Sequence, residues 1–101
     1  MNAFRAKPVD GPEDVIQRAL VNHLKLHDWY VKVMHGTAFQ SGLPDLFCTH
    51  VSYGMRWVEV KVPVGGKFTR AQYVTFPKLV EHGTPVWILT GPHEYQALFS
   101  D

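Results

Sequence analysis

The sequence predicts an α/β (α+β) protein in which a four-stranded mixed sheet is flanked by helices, in the order αβββαβ with a short further helix. Apolar residues recur at helical spacing after residue 12, and three short stretches rich in β-branched and aromatic residues follow between residues 29 and 62. A helix-start pattern then precedes a fourth such stretch. Because the fourth strand is reached through a helical crossover, we expect both antiparallel and parallel pairs. The 101 residues suit one domain, spanning residues 1–101.

The first helix is predicted to begin near Asp10 or Gly11, either of which can serve as its cap, with Pro12 in the first turn. It should run to about His27. A core-facing stripe at spacings of three and four comprises Ile16, Ala19, Leu20, His23 and Leu24. Glu13 complements the helix dipole and lies at the end of this buried stripe, not on the solvent side.

Strands are predicted where β-branched and aromatic residues concentrate between segments that contain glycine or proline. The predicted strands are residues 29–34, 45–51, 55–62 and 86–90. Pro44 precedes the second strand, and the turn 52–54 should join the second and third strands in a hairpin. Residues 35–42 and 63–67 should form loops.

The second helix has a start signal in Thr69 and Gln72, which have the spacing of a capping box. This helix should run to about His82, with a kink or a break at Pro77, because proline has no N–H for the helical ladder. A short final helix can begin at residues 92–94.

Composition and charge exclude several classes of protein. The 46% hydrophobic content is that of an ordinary globular chain. No apolar run approaches the roughly 18 residues of a membrane span, and the first residues lack the apolar segment of a secretory signal. The single cysteine, Cys48, suits a reducing compartment, so we expect a cytoplasmic protein. A net charge of +1 argues against binding nucleic acid by charge alone.

Charged residues interrupt two apolar stretches, GLPDLF at residues 42–47 and WVEVKV at residues 57–62. An ionised side chain within a buried strand is costly unless it is paired or holds a metal. Side chains alternate along a strand, so Val58 and Val60 point to one face while Glu59 and Lys61 share the other. If Asp45 begins the neighbouring strand of the hairpin, its carboxylate can lie beside Glu59.

Two carboxylates on adjacent strands are the hard oxygen ligands that Mg²⁺ prefers, and a substrate phosphate can replace some of its waters. The ion would stabilise charge on a scissile phosphate and lower the pKa of a bound water, while Lys61 can orient that water or offset developing charge. Glu13 and Gln72, each near a helix start, can point into the same pocket. Together these residues predict a phosphodiester-cleaving site.

Each of these features also has an ordinary structural explanation. Valine alternating with Glu59 and Lys61 is typical of a strand with one solvated face, and Asp45 after Pro44 suits a turn. The joint occurrence favours a site, because independent surface charges have no reason to follow this order. From the residues alone, both interpretations stay open.

An acid near the start of the first helix, followed by GLPDLF, WVEVKV and FTRAQ, resembles the PD-(D/E)XK nuclease superfamily. Within it, the chain is similar to the small virus-type replication-repair nuclease (VRR-Nuc) domains. The likeness covers about residues 13–89 and includes the closing Gly-x-x-Val strand. The motif residues that carry it are Gly42, Pro44, Asp45, Glu59, Lys61 and Gln72.

The resemblance implies a restriction-endonuclease-like fold, with Mg²⁺ or Mn²⁺ bound by Asp45, Glu59 and the backbone carbonyl of Val60. It implies Lys61 as the catalytic lysine. The implied supporting residues of the site are Glu13 and Gln72. The stand-alone phage and bacterial domains of this kind imply a homodimeric, structure-specific endonuclease that acts on branched DNA, including four-way (Holliday) junctions.

Three further residues are candidates for contacts with DNA. Lys67 and Arg70 lie beside two glycines that permit close approach, and they can meet phosphates without reading the base sequence. His35 stands where many relatives carry arginine or asparagine, and it can contact phosphate or transfer a proton. A loop histidine without either role is the alternative. The glycine-containing loop lacks Walker spacing, so nucleotide hydrolysis has little support.

Other chemistry-bearing residues receive structural interpretations. His23 and His27 have a spacing that can bind zinc, but without cysteine or acidic partners His23 is interpreted as an edge-of-core residue. Cys48 is interpreted as a packing residue of a strand. Two alternatives to junction cutting stay open: a restriction-type or nicking endonuclease on duplex DNA, and a non-catalytic nucleic-acid-binding domain that retains the fold.

Overall fold

The computed structural model describes residues 11–34 and 42–99. The elements in these ranges are helix α1 (Glu13–Leu26), strands β1 (Tyr30–Val33), β2 (Leu46–His50) and β3 (Gly54–Val60), helix α2 (Arg70–Glu81), strand β4 (Val86–Leu89) and a 3₁₀ helix (Pro92–Phe99). This order confirms the predicted succession of elements. None of the helices in the described ranges is long and apolar enough to cross a membrane.

The four strands form one mixed sheet in the order β1-β2-β3-β4. β2 is antiparallel to both β1 and β3, whereas β3 and β4 are parallel. Parallel neighbours need a crossover connection, which α2 provides. In the hairpin Leu46 lies opposite Val58, so Asp45, one residue before Leu46, falls beside Glu59, one residue after Val58. The predicted mixed sheet is confirmed, and its register brings two acids of the predicted site together.

The hydrophobic core lies where α1 and the 3₁₀ helix pack against the sheet. α1 contributes Ile16, Leu20, Val21 and Leu24 to this cluster, and the 3₁₀ helix contributes Tyr95 and Leu98. Each fully buried aliphatic side chain stabilises the fold by about 1.5–3 kcal/mol. Cys48 is fully buried in the same cluster, and burial raises the pKa of its thiol to about 12. Its predicted packing role is confirmed.

The start of α1 differs from the prediction. Pro12 is the N-cap, with extended backbone (φ −61°, ψ 159°) and no side-chain capping bond. Its carbonyl accepts the N–H groups of Val15 and Ile16, at 3.0 and 3.2 Å. The prediction of Gly11 as the cap was therefore wrong, because the proline carbonyl already begins the helical ladder, and Asp10 lies outside the described residues.

Two other boundaries differ for physical reasons. β3 ends at Val60, two residues earlier than predicted. The Lys61 N–H still donates to the Leu89 carbonyl at 3.0 Å, but Pro63 has no N–H with which to extend the pairing. Trp29 is buried in the core yet precedes β1, so its predicted place within a strand was wrong.

α2 passes through Pro77 without a break, which contradicts one form of the prediction. Proline removes a single intrahelical hydrogen bond, the one to the carbonyl four residues earlier. The capping box formed by Thr69 and Gln72 is present at the helix start, and Phe76 is buried. The cap and the burial of Phe76 stabilise the turns before Pro77, and the loss of one bond does not end the helix.

Gly42, the first residue of GLPDLF, places the turn before β2 directly against α2. Its φ of +89° belongs to a region that side chains with a Cβ rarely adopt. A Cβ at this position would lie 2.7 Å from Thr75 Oγ1 and 2.8 Å from the Ala71 carbonyl oxygen. Glycine is therefore required here for two reasons, the backbone angle and the close contact with α2. This contact sets the position of the segment that leads to Asp45.

Gly42→Ala is predicted to destabilise the protein more than Gly83→Ala. Gly83 has the same φ of +89°, but a Cβ there would meet open space, so alanine at this position carries only the backbone cost, about 1–2 kcal/mol. Alanine at position 42 adds overpacking against α2, a further roughly 1–3 kcal/mol. Urea unfolding of both variants measures the difference. Equal destabilisation would show that the contact between Gly42 and α2 does not constrain the turn.

Candidate active site

Three carboxylates lie close together. One is at the start of α1, one directly precedes β2 and one is near the end of β3. They belong to Glu13, Asp45 and Glu59, and one oxygen of each lies within 4.8 Å of the others. Glu13 is the first residue of α1, and its half-buried carboxylate lies close to Asp45 and Glu59 of the two central strands' segments. The predicted grouping of these acids is therefore present in the structure.

Asp45 and Glu59 are linked through the backbone of the hairpin. The Asp45 N–H donates to Glu59 Oε1 at 3.2 Å, and the Val60 N–H donates to Asp45 Oδ2 at 2.9 Å. Each carboxylate thus receives a main-chain donor from the other strand's segment. This exchange fixes the two side chains beside each other where β2 begins and β3 ends, as the alternation of side chains along the strands predicted.

Glu59 is the most deeply buried acid of the group, with 1% of its surface exposed. Burial is the main cause that raises its pKa, to about 7, and the neighbouring charge of Asp45 acts in the same direction. Lys61 and Gln72 oppose this effect by favouring the ionised form. The balance leaves a carboxyl group that changes charge near neutral pH.

The Lys61 ammonium is buried beside Glu59 and is held by three oxygen atoms. Its Nζ lies 3.0 Å from Glu59 Oε2, 3.1 Å from Gln72 Oε1 and 2.7 Å from the Lys67 carbonyl oxygen. An ammonium has three N–H donors, and these contacts use all of them. Lys61 is therefore a fixed positive charge at the edge of the carboxylate cluster.

Gln72 performs two tasks with one amide group. Its Oε1 accepts the Thr69 N–H at 2.9 Å, and the Thr69 hydroxyl accepts the Gln72 N–H at 3.1 Å, which completes the predicted capping box of α2. With the oxygen held by the cap and by Lys61, the amide nitrogen faces Glu59 and donates to Oε2 at 2.8 Å. The helix cap thus orients the donor that serves the buried acid.

The cluster as a whole has more negative than positive charge. Burial also raises the pKa values of Asp45 and Glu13, while Lys61 counteracts both shifts. When all three carboxyls are ionised, the single ammonium offsets only part of their charge. A hard divalent cation relieves this imbalance, and carboxylate oxygens at this spacing are a suitable donor set for Mg²⁺ or Mn²⁺.

The predicted DNA-contacting residues lie beside this cluster, not in it. Lys67 and Arg70 have exposed side chains, one in the loop after β3 and the other at the first position of α2. Lys67 also supplies the carbonyl that holds Lys61. His35 lies outside the described residues. The carbonyl of Val60 stays a predicted metal ligand, while its N–H has a defined role in holding Asp45.

One residue of this region was not identified from the sequence. The ring of Phe68 lies under the Lys61 ammonium, with Nζ 4.7 Å from the ring centroid, a cation–π arrangement. The sequence signal was an aromatic residue in a short loop between Lys67 and the cap Thr69. That signal was weak, because it does not reveal how the loop folds back over β3.

The rejected zinc site remains without support. The His23 and His27 rings contact each other at 4.7 Å between centroids, and both contact Tyr95 of the 3₁₀ helix. Burial and the neighbouring His27 lower the pKa of His23. Within residues 11–34 and 42–99, the group of acids described above is the one found with metal-ligand spacing.

Comparisons of the chain with profiles of known protein families, with curated proteins and with solved structures found no match. The likeness to the PD-(D/E)XK and VRR-Nuc proteins therefore stays a prediction from GLPDLF, WVEVKV and FTRAQ. The geometry of the acids, Lys61 and Gln72 carries the functional interpretation.

In the presence of a chelator, the Glu59 contribution to stability is predicted to decline as pH rises from about 4.5 to about 7. An unfolded glutamate releases its proton near 4.5, whereas folded Glu59 retains it until about 7, so the folded state binds more protons in this window. Over this pH range, the free energy of unfolding should fall by at most about 3 kcal/mol. Urea unfolding at pH 5.0 and 7.5 measures it.

Glu59→Gln is the matched variant, because it removes this titration and keeps the shape of the side chain. Its absolute stability will be lower, since an amide NH₂ replaces an oxygen that accepts hydrogen bonds. The difference between wild type and variant also cancels the opposite contribution of His23, whose lowered pKa increases stability with rising pH. The same pH dependence in both proteins would contradict the assignment to Glu59.

Proposed function

We propose that the protein is a metal-dependent endonuclease that hydrolyses phosphodiester bonds in DNA, with a restriction-endonuclease-like fold of the VRR-Nuc type. The observation that carries this proposal is the set of three carboxylates within 4.8 Å of one another, with Lys61 fixed against Glu59. A four-stranded mixed sheet with α1 before it and α2 as its crossover agrees with the proposed fold.

Asp45, Glu59 and the Val60 carbonyl are the proposed ligands of Mg²⁺, with Glu13 as a further acid beside them and Mn²⁺ as a substitute ion. When bound, the ion supplies positive charge for the reacting phosphate and lowers the pKa of a bound water. The donor set fits, since the three carboxylate oxygens are hard ligands already gathered in one place. Lys61 alone does not balance their charge.

The side chains around the ion have separate tasks. Lys61 places a buried positive charge beside the reacting phosphate, where it can stabilise the negative charge that develops during hydrolysis. Gln72 holds both Lys61 and Glu59, through its amide oxygen and its amide nitrogen. Its role is to position those two groups. Because the cap of α2 orients Gln72, the arrangement exists before substrate binds.

The proposed substrate is branched DNA, and the proposed assembly is a homodimer that presents two sites to a junction. Lys67 and Arg70 are exposed beside the site, where they can bind backbone phosphates near the cut, and His35 is a further proposed contact. Contacts of this kind recognise the path of the backbone and not its sequence. Restriction-type or nicking activity on duplex DNA is the second candidate, and it uses the same chemistry.

Mg²⁺ is predicted to stabilise the folded protein at pH 7.5 through the acidic cluster. A ligand at 100 times its dissociation constant stabilises by about 2.7 kcal/mol, which for about 100 residues raises the melting temperature by roughly 10–20 °C. Asp45→Asn should lose most of this increase. Asp14→Asn should keep it, because Asp14 is exposed in the same turn of α1 as Glu13. An equal increase in both variants would place the ion elsewhere.

Cleavage of labelled DNA tests the function directly. Four-way junction, flap, single-stranded and linear duplex substrates should be compared with Mg²⁺, with Mn²⁺ and with a chelator. We expect metal-dependent cleavage of the junction. The cleavage rate should fall roughly 100-fold or more in three variants, Asp45→Asn, Glu59→Gln and Lys61→Met, because each removes a group that contacts the ion or the developing charge.

Asp14→Asn serves as the active control in the cleavage assay, and circular dichroism verifies that each variant is folded. Cutting of linear duplex at defined sequences would favour a restriction-type enzyme. Binding of DNA by a folded protein that cuts none of the substrates would contradict the proposed activity and support a non-catalytic DNA-binding domain. Light scattering tests the dimer, and a strict monomer would contradict the two-site arrangement.

A further inference from the structure

A groove lined mainly by aromatic residues opens to solvent beside the candidate active site. Its volume is about 160 Å³, and it is lined by Phe68, Gln72, Tyr73, Phe76 and Pro77. These residues come from the end of the loop after β3 and from the first turns of α2. We call this feature the aromatic groove. The metal site proposed above does not use this groove as a binding surface.

The rings of the groove are arranged as the walls of a concave surface. The Phe68 and Tyr73 centroids lie 5.9 Å apart at 54°, and the Phe68 and Phe76 rings are nearly perpendicular at 6.1 Å. Tyr73 is 69% exposed, so the protein core does not account for its position. Pro77 has no N–H to donate to the Tyr73 carbonyl, and both residues line the groove.

The aromatic groove adjoins the candidate active site through two residues. Gln72 lines the groove and also donates to the buried Glu59. Phe68 lines the groove and lies 4.7 Å from the Lys61 ammonium. Phe68 and Gln72 are therefore shared by the groove and the site. An occupant of the groove that is part of the same DNA as the reacting phosphate agrees with this shared wall.

Charge identifies the class of occupant. The groove itself presents flat hydrophobic rings, while Lys67 and Arg70 are exposed on the adjoining loop and helix start. This combination complements a planar aromatic group joined to negatively charged phosphates, which is the chemistry of a nucleotide. Stacking of a base on aromatic side chains is largely independent of its identity, so such a groove would accept any base.

We propose that the aromatic groove binds one unpaired nucleobase of the DNA, next to the phosphate that is cleaved. The proposal deepens the proposed function and rests on it for the position of that phosphate. In a continuous duplex the base must first leave the helical stack, whereas a base at a bulge, a branch or a frayed end has already lost its partner. The groove thereby favours DNA with an unpaired base beside the cut.

The test measures binding without cleavage. Fluorescence anisotropy, in the presence of a chelator, gives the dissociation constants of three DNAs that are otherwise identical. The first is a duplex with one unpaired adenine, the second has an abasic residue at that position, and the third is fully paired. The adenine and abasic DNAs have the same interrupted backbone, so the difference between them isolates the contribution of the base.

Wild type is expected to bind the adenine bulge about 10-fold more tightly than the abasic bulge, because stacking of one base on an aromatic side chain lowers the dissociation constant by about this factor. Tyr73→Ala should abolish this difference and leave the affinity for the abasic DNA almost unchanged. Tyr30→Ala, which removes another exposed tyrosine (62%) far along the chain in β1, should retain the full difference. Both side chains are exposed, so we expect both variants to fold.

Equal affinity of wild type for adenine and abasic bulges would overturn the proposal, as would an unchanged difference in Tyr73→Ala. A change of molecular mass in Tyr73→Ala, measured by light scattering, would assign the groove to contact with a second copy of the chain and would also overturn it. Because this assay needs no metal and no cleavage, intact discrimination of the base in a protein that cuts no DNA would refute the nuclease and retain the groove.

Discussion

The burial of the Glu59 carboxyl group is the constraint on which the rest of this site depends. A carboxylate removed from water is strongly destabilising unless donors replace its hydration. Here the donors come from three places in the chain: the Asp45 N–H before β2, Lys61 after β3 and the amide of Gln72 in α2. Lys61 is two residues from Glu59 on the same segment, whereas the Asp45 N–H and the Gln72 amide are more than ten residues away along the chain. The hairpin must pair in its observed register, and α2 must pack beside the sheet, before Glu59 can be satisfied. Formation of the tertiary structure and assembly of the site are therefore the same event.

The capping box shows how a local interaction can determine a distant one. At most helix starts, the third residue of the box serves only the first backbone N–H groups. In this protein the Gln72 oxygen serves the Thr69 N–H and the Lys61 ammonium, which leaves its nitrogen for Glu59. Glutamate is the other common residue at this position of a capping box, but it has no amide nitrogen with which to donate to a carboxylate. The requirement to hold a buried acid thus selects glutamine among the residues that cap equally well.

The sequence predicted those features that depend on short-range patterns. Alternation along β3 placed Glu59 with Lys61, and the position of Asp45 at the start of the paired strand placed it beside Glu59. The spacing of Thr69 and Gln72 identified the helix start. Two of the errors occurred at prolines that have two possible effects: Pro12 caps α1 through its carbonyl, and Pro77 costs α2 one hydrogen bond without ending it. The aromatic groove was not predictable, because Phe68 and Phe76 meet only after the loop folds back against α2, and no spacing along the chain encodes the angle at which the rings meet.

In the proposed nuclease, the charge of the acidic cluster and the neutrality of the groove divide the recognition of DNA into two physically different parts. Ionised carboxylates repel a phosphate, and one lysine cannot reverse this, so productive contact with the backbone at the cut requires a cation to occupy the acids first. The proposed contacts of Lys67 and Arg70 with backbone phosphates weaken as salt screens them. Stacking of a base in the groove depends far less on salt and needs no ion. This division agrees with a net charge of only +1, because the proposed nuclease does not rely on a basic surface to select its substrate. On this proposal, DNA that presents a phosphate to the metal site and an unpaired base to Tyr73 gains binding free energy from both parts, and continuous duplex gains it from one.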